Sequence, residues 1–300
     1  MWTEIGAQIT QATGEQFEIV DRQSIGGGCI NQVYRISGRS RSDRQEYLLK
    51  LNQASLIAMF EAEAAGLSEL AATQTIKVPA PICWGIVGKH SYIVLEYLDL
   101  TTAATPQHWL EMGRNLAAMH RFRPVDRVKF GWQISNTIGS TPQINTWENN
   151  WATFFTNHRI GYQLQLAQAK GGSFPNAAKL LQAIPRILAD RQPQPSLVHG
   201  DLWSGNASFT TAGIPVIFDP AIHWGDREVD LALTELFAGF PVDFYQGYAQ
   251  VYPLDPGYSQ RKDLYNLYHI LNHYNLFGGS YRSQANSTID RFVEGIEDRG

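Results

Sequence analysis

The feature that most constrains this chain is the segment His199–Asn206 together with one aspartate beyond it. Asp201 follows a short apolar segment at residues 196–198, and Asn206 comes five residues later. Asp219 ends a second short apolar segment, eighteen residues after Asp201. Asp, Asn, Ser and Gly are common in turns, so the Asp–Asn pair by itself also fits a simple turn. The second carboxylate and the two strand contexts favour convergence of the three side chains at one loop edge.

Two carboxylates and one amide form the set that phosphoryl transfer requires. One carboxylate can orient the attacking hydroxyl and accept its proton, while the other carboxylate and the amide oxygen hold Mg²⁺ against the phosphates. If the transition state is loose, positioning and charge neutralisation supply most of the rate. These residue types therefore predict metal-assisted phosphoryl transfer.

A glycine-rich loop between two strand-like runs is the second motif. Its backbone N–H groups can approach phosphate oxygens without obstruction from side chains. Glycine-rich hairpin turns are common, and the loop lacks the Gly-Lys-Ser/Thr ending of a Walker A motif. The loop consists of Gly26, Gly27, Gly28, Cys29, Ile30 and Asn31.

Lys50 is a lone cation in an otherwise apolar strand, and two glutamates, Glu61 and Glu63, follow early in the next helix. A buried strand lysine can bind the α- and β-phosphates while a helix glutamate fixes it. An outward-facing lysine on an amphipathic strand is the alternative. The order of glycine loop, lysine, glutamate, Asp–Asn loop and second aspartate is the order expected of a kinase, which favours the first interpretation.

The chain changes character after residue 98. Before it, strand-like runs surround one helix; after it, helical patterns dominate. The predicted strands are 17–25, 32–36, 47–51, 82–87 and 92–97, with a polar loop at 37–44. The predicted helices are 56–72, 106–120, 147–168, 176–189, 228–237 and 264–276. We expect an α+β, two-lobed protein-kinase-like fold. Residues 1–98 would form a nucleotide-binding lobe of antiparallel sheet with one main helix, and residues 99–300 a larger, mostly helical catalytic and substrate-binding lobe.

Composition narrows the class of protein. The chain has 300 residues, 44% of them hydrophobic and 17% charged, with a formal net charge of −4. These values are typical of a globular protein and give no reason to expect a nucleic-acid partner. No apolar run reaches membrane-spanning length, and the first residues do not resemble a signal peptide. The two cysteines lie outside any paired metal motif, so we expect a cytoplasmic protein without a membrane partner.

The whole chain resembles the fructosamine kinase (ketosamine 3-kinase) family, which shares the protein-kinase-like fold with aminoglycoside phosphotransferases. The string His-Gly-Asp-Leu-Trp-Ser-Gly-Asn is specific to that family, whereas the Asp-to-Asn spacing alone marks only the wider superfamily. The resemblance spans residues from about 24 to 281. Its matching segments are 59–67, 197–206, 219–221, 225–232, 264–273 and 275–281.

The resemblance implies a role for each matching position. Asp201 would be the catalytic base, and Asn206 and Asp219 would bind Mg²⁺. Lys50 would bind the phosphates of ATP, and Glu63 rather than Glu61 would pair with it. Glu96, Tyr97 and Leu98 would form a hinge whose backbone binds adenine.

The implied acceptor is a ketosamine, the rearranged product of a sugar condensed with an amine. Phosphorylation of its third hydroxyl would give an unstable ester and release the amine, which is a deglycation reaction. Trp203 could stack on the sugar or simply pack in the core. His223 and Trp224 stand where other members often carry two tyrosines, which bears on sugar preference. The sequence does not choose between ribulosamine, erythrulosamine and fructosamine, or between free and protein-bound substrates.

Other hypotheses stay open. The chain could phosphorylate another amino alcohol or an aminoglycoside, or bind nucleotide as a pseudokinase, although the latter usually lacks one of the four main site residues. The protein could be a monomer or a redox-linked homodimer, with oxidation of Cys29 blocking nucleotide binding. Finally, Asp230 could brace the catalytic loop through backbone N–H groups, or only complement a helix dipole.

Overall fold

The computed structural model describes residues 1–26, 30–39, 44–124 and 128–297. The chain divides into two compact units, each built from two stretches of sequence. Unit 1 comprises Met1–Ala104 and Ser208–Asp219, and unit 2 comprises Thr105–Ala207 and Pro220–Gly300. A functional division at residue 98 stays a prediction, because compactness does not assign a role to either part.

The helices and strands are numbered in chain order. The α-helices are α1 (Trp2–Thr13), α2 (Ile57–Ala72), α3 (Pro106–Arg121), α4 (Trp151–Phe154), α5 (Tyr162–Ala169), α6 (Ala177–Ile187), α7 (Glu228–Leu236), α8 (Val242–Val251), α9 (Tyr258–Phe277) and α10 (Tyr281–Glu297). The strands are β1 (Glu18–Ser24), β2 (Gln32–Arg39), β3 (Arg44–Gln53), β4 (Pro81–Val87), β5 (His90–Glu96), β6 (Leu100–Thr101), β7 (Asn136–Ile138), β8 (Thr141–Gln143), β9 (Ser196–Val198), β10 (Ala207–Thr210), β11 (Pro215–Ile217) and β12 (His223–Gly225). Short 3₁₀ turns lie at Ala54–Leu56 and Ser204–Asn206, and Phe155–Gly161 forms a π-helix.

Unit 1 is built on a five-stranded antiparallel sheet in the order β1-β2-β3-β5-β4. The five predicted strands are present, but β2 and β3 continue into the segment predicted as a polar loop at 37–44. Beside this extension, Arg35 donates hydrogen bonds to both carboxylate oxygens of Glu46. Polar strand ends held by cross-strand pairs carry no hydropathy signal, which explains why residues 37–39 and 44 were predicted as loop. Residues 40–43 lie outside the described part of the chain.

Strand β3 is buried on both faces, and this determines where Lys50 lies. Leu49 and Leu51 belong to an apolar cluster that also contains Ile5 and Ile9 of α1. Because successive strand residues point to opposite faces, Lys50 points away from that cluster. Its ammonium group contacts Glu63 of α2. The alternative of an outward-facing, solvated lysine is therefore wrong.

A second small sheet in unit 1 leads to Asp219. Strand β10 pairs antiparallel with β6, and the sheet order is β11-β10-β6. Ile217 of β11 donates its N–H to the carbonyl of Lys77. The chain thus reaches Asp219 along a strand fixed on both sides.

Unit 2 is mainly helical around α9, whose segment 264–272 is buried throughout. Helices α8 and α10 were not predicted. The predicted helix at 147–168 begins later, at Trp151, and is interrupted by the π-helix. Among the described residues, no helix is both long enough and apolar enough to cross a bilayer.

Helices α3 and α8 cross at very short range through two glycines. A Cβ atom on Gly113 would lie 2.0 Å from the carbonyl oxygen of Phe244, and one on Gly247 would lie 2.0 Å from that of Leu110. Any side chain at either position would overlap with backbone. The pair of glycines therefore determines how closely α3 and α8 pack.

Candidate active site

Unit 1 contributes an ion triplet centred on Lys50. The ammonium group donates to Glu63 Oε1 at 2.6 Å and also to Asp219 Oδ1. Burial alone would lower the pKa of Lys50, but the charges of Asp219 and Glu63 outweigh it, so the pKa is raised. Lys50 is therefore a permanent cation, as binding of phosphate oxygens requires.

Helical phase selects Glu63 over Glu61. The two residues are two positions apart on α2, which places them on different faces of the helix. Glu61 is exposed, whereas the Glu63 side chain is only 11% exposed. Burial raises the pKa of Glu63, and the Lys50 charge opposes that shift. The ion pair is the one expected from the sequence; its role with phosphate stays a prediction.

Asp219 has an unusual backbone conformation for a residue with a side chain. Its φ is 56°, in the left-handed region that favours glycine. The Asp219 carboxylate is 50% exposed. Strain of this kind persists where the surrounding structure imposes it and is concentrated at functional sites. Here it directs an accessible carboxylate beside Lys50.

The loop that carries Asp201 follows β9 in unit 2. Gly200 has a φ of 80°, and a Cβ atom there would lie 2.1 Å from the carbonyl oxygen of Ala221. The Asn206 side-chain amide donates to the Asp201 carbonyl at 2.8 Å and to Asp201 Oδ2 at 3.1 Å. Only glycine fits at position 200, and Asn206 orients the Asp201 carboxylate.

Asn206 of unit 2 and Asp219 of unit 1 each present an oxygen atom of the kind that binds Mg²⁺. The Asn206 amide nitrogen donates to Asp201, so the amide oxygen is left to serve as a metal ligand. Asp219 presents an exposed carboxylate. Mg²⁺ is commonly held by one or two such oxygens together with phosphates and water. In the described part of the chain, no three His, Cys, Asp or Glu side chains form a cation cage of their own.

Asp230 braces the Asp201 loop from below. Its carboxylate accepts the backbone N–H of His199 at 2.7 Å and that of Gly200 at 2.8 Å. His120 contacts Asp230 Oδ2 through Nε2 at 3.1 Å, and its Nδ1 lies 2.8 Å from the Tyr248 hydroxyl. The sequence indicated Asp230. It did not indicate His120 or Tyr248, which carry no local motif.

The charge states of this brace follow from burial and partners. Burial would raise the pKa of Asp230, but the bonds from His120 and the loop outweigh it, so the pKa is lowered. Burial lowers the pKa of His120. Asp230 is thus ionised and His120 neutral at pH 7. His120 Nε2–H donates to the carboxylate, and Nδ1 accepts from the Tyr248 hydroxyl.

The three residues suggested for substrate binding differ in position. Trp203 is 39% exposed, and a Cβ atom on Gly205 would lie 2.4 Å from its ring. The Trp203 ring is thus held against the loop with a face open, and it is not a core residue. His223 and Trp224 are 3% and 1% exposed, in β12, which pairs with β9. Direct contact between a substrate and Trp224 would require a different arrangement of unit 2.

A polar layer beneath the Asp201 loop was not predicted. The π-helix directs Arg159 inward, where its guanidinium donates to the Ile144 carbonyl at 2.6 Å and to Asn145 Oδ1 at 2.8 Å. Burial lowers the pKa of Arg159 to about 10. Tyr268 lies under this guanidinium, and burial, with a contribution from the Asp201 charge, raises the pKa of Tyr268 to about 12. π-Helical turns are frequent at functional sites, but no sequence rule located this one.

The remaining predicted nucleotide contacts are partly described. Gly27, Gly28 and Cys29 lie outside the described residues. The hypothesis that oxidation of Cys29 blocks nucleotide binding therefore stays a prediction. Asn31 accepts from Asn52 at 2.7 Å, and the same Asn52 amide donates to the Ile30 carbonyl at 3.2 Å.

The predicted hinge begins at the end of β5. Glu96 uses its N–H on the Ala80 carbonyl and its carboxylate on Lys77. Tyr97 and Leu98 follow the end of β5. Because the Glu96 N–H is already bonded, we expect the backbone of Tyr97 and Leu98 to bind adenine, and this stays a prediction.

The fold is of the protein-kinase-like class. The aminoglycoside phosphotransferase APH(4)-Ia aligns with a TM-score of 0.62 over 97% of this chain and 98% of its own, at 16% identity, a level that shows the fold alone. The expected α+β kinase-like fold is confirmed. A family model described as fructosamine kinase matches residues 1–295. The chain belongs to the fructosamine kinase family, as the sequence motifs indicated.

Individual relatives agree with this assignment. A crystal structure from Haemophilus somnus 129PT, described as a "Putative fructosamine-3-kinase", aligns with a TM-score of 0.89 at 33% identity, over 97% of each chain. The "Probable ketoamine kinase" of Synechocystis sp. is 54% identical over 96% of this chain and 95% of its own. The chloroplastic protein-ribulosamine 3-kinase of Arabidopsis thaliana is 41% identical over 93% of this chain and 85% of its own.

Proposed function

We propose that this protein transfers the γ-phosphoryl group of ATP to the 3-hydroxyl of a ketosamine. Membership of the fructosamine kinase family makes the protein a ketosamine kinase. The nucleotide, the metal and the position of the acceptor hydroxyl are the proposed part. One observation carries it: Lys50, Asp201, Asn206 and Asp219 are all present in a family match that covers residues 1–295.

Asp201 acts on the acceptor. Its carboxylate, oriented by the Asn206 amide, accepts a hydrogen bond from the sugar hydroxyl and takes the proton as the oxygen attacks. The hydrogen bonds from the His199 and Gly200 N–H groups to Asp230 hold the backbone immediately before Asp201. The contribution of Asp201 is mainly orientation, because a loose transition state needs little basicity.

The roles of the nucleotide-binding residues are proposed from the family resemblance. Lys50, held as a cation by Glu63, contacts the phosphates, and Tyr97 and Leu98 offer backbone to adenine. Asn206 and Asp219 would hold Mg²⁺, which neutralises the charge of the phosphates. A structure of the fold neighbour APH(4)-Ia holds AMP-PNP and hygromycin B, which supports ATP use by the fold.

The acceptor is proposed from the relatives' names. The Arabidopsis relative is named for ribulosamine on a protein, and the Synechocystis relative for ketoamines in general. The exposure of Trp203, two residues beyond Asp201, supports stacking of its ring on the sugar or its amine. The 3-phosphate is unstable and releases the amine, so the biological role is deglycation. A cytoplasmic location stays a prediction.

An ATP-consumption assay across ribulosamine, erythrulosamine and fructosamine, free and protein-bound, tests the proposal. We expect turnover with at least one ketosamine, dependence on Mg²⁺, and loss of at least about a hundredfold in Asp201→Asn. Turnover of aminoglycosides with none of the ketosamines would favour an amino-alcohol kinase. Nucleotide binding without phosphorylation of any acceptor would favour a pseudokinase.

A further inference from the structure

A series of aromatic rings runs away from Trp203 within unit 2. The Trp203 and Phe237 ring centroids are 6.4 Å apart, and those of Phe237 and His273 are 4.9 Å apart. His273 in turn lies 5.6 Å from Phe277 and 5.1 Å from Tyr281. We call Phe237, His273, Phe277 and Tyr281 the outer aromatic strip. It continues, ring by ring, from a residue two positions after Asp201.

The outer aromatic strip reaches the surface. Phe277 is 61% exposed, and the other three residues are half-buried. The exposed ring of Phe277 thus adjoins three partly accessible rings, and a continuous apolar surface of this kind often marks a binding site. The strip comes from the loop after α7, the last turns of α9 and the start of α10, so it brings together three separate segments.

The strip is also uncharged at neutral pH. His273 Nδ1 lies 2.8 Å from the His269 carbonyl, to which it donates, and burial lowers the pKa of His273. The imidazole is therefore a neutral ring that extends the aromatic surface. A surface of this chemistry selects for alkyl chains, peptide planes and apolar side chains, not for anions.

We propose that the outer aromatic strip binds the polypeptide that carries the sugar, in the residues next to a glycated amine. This inference rests on the proposed function, because a sugar hydroxyl at Asp201 places its amine near Trp203. The secondary ammonium can lie over the Trp203 ring, and the attached chain then continues onto Phe237 and His273.

The dimensions agree with a peptide. Extended chains advance about 3.3–3.6 Å per residue and place alternate side chains on one face, so a few residues cover the series of rings. A ketosamine of a small amine ends near Trp203 and does not use Phe277 or Tyr281. The outer aromatic strip thus contacts the polypeptide and not the sugar, so it adds affinity for protein-bound substrates only.

The test uses two substrates with the same ketosamine. One carries it on a single lysine whose α-amino and carboxyl groups are capped, and the other on a lysine within an unfolded polypeptide. We expect Phe277→Ala and Tyr281→Ala to lower kcat/KM for the polypeptide substrate about five- to tenfold, through KM. The small substrate should be processed at the wild-type rate. Val242→Ala is the control, because Val242 is 64% exposed on α8 of the same unit.

Each other outcome would overturn the inference. Equal losses on both substrates would mean that the strip supports the catalytic loop, and no loss on either would mean that it binds no carrier. A dimer that dissociates in Phe277→Ala, seen by light scattering, would assign the strip to a second copy of the chain. Unchanged melting temperatures exclude misfolding. If the wild type processed neither ketosamine, the proposed function itself would fail, and that result is distinct from the others.

Discussion

His120 donates from Nε2 to Asp230 at a site closed to solvent, with 3.1 Å between the two atoms. The same carboxylate holds the loop two residues before the proposed catalytic base. We predict that Asp230→Asn destabilises the protein by about 2–4 kcal/mol, because an amide nitrogen would oppose a backbone N–H. Turnover of the folded fraction should also fall, since the loop would shift.

Chemical denaturation and active-site-normalised kinetics check this prediction. Asp190→Asn is the control, because Asp190 is exposed. Normal turnover in the folded fraction of Asp230→Asn would show that Asp230 is only structural.

Glu63→Gln should weaken nucleotide binding. The change removes one of two carboxylates that hold the buried Lys50, so the ammonium group is free to turn toward Asp219 alone. We expect the KM for ATP to rise about tenfold. Glu61→Gln, on the exposed face of the same helix, should change it less than twofold. Similar effects of the two substitutions would contradict the role of the ion pair.

Stability should fall in mild acid because of buried histidines. Burial lowers the pKa of His120, His223 and His269, the last to about 3. A histidine in the unfolded chain titrates at about pH 6.5. Between pH 3 and that value, the unfolded chain binds more protons than the folded one, so stability is full above the window and is lost as pH falls.

His269 alone should lower the free energy of unfolding by about 2–3 kcal/mol at about pH 4.5, relative to its value at about pH 7. His269→Gln should therefore flatten the pH dependence of the free energy of unfolding by one proton. His90→Gln, at an exposed position, should leave the slope unchanged. A slope that is the same in all three proteins would show that His269 is protonated in the native state. Asp230 affects stability only at lower pH, below about 4, because its pKa is lowered.

Gly113→Ala should be strongly destabilising. The new Cβ would lie 2.0 Å from the Phe244 carbonyl oxygen, so α3 and α8 would have to separate. We expect a loss of at least about 3 kcal/mol. Gly295→Ala in α10 meets open space and should stabilise by about 0.5–1 kcal/mol through helix propensity. Thermal melts of both variants give the comparison, and a tolerated Gly113→Ala would mean that the helices can part at little cost.

Local signals predicted much of the fold and of the candidate site. The order of the motifs favoured a buried Lys50, and the family resemblance implied Glu63 as its partner; strand and helix periodicity explain both in the structure. The spacing of Asp201 and Asn206 indicated their contact, because both lie in one short loop. His120 and Tyr248 could not be predicted, because His120 is 110 residues from Asp230, Tyr248 is 128 residues from His120, and no short pattern marks either residue. The π-helix around Arg159 resembles an ordinary helix in hydropathy, because its side chains follow nearly the same periodicity.

The glycines at 113 and 247 limit how the protein can evolve. Each opposes a carbonyl oxygen of the other helix, and a backbone atom cannot be made smaller by mutation. A larger residue at one position therefore has no compensating substitution at the other. The two sites should not covary in sequence, and each should be fixed alone. The same crossing aligns His120 with Tyr248, so a drift in this spacing would reach the Asp201 loop through hydrogen bonds that lie far from it in sequence.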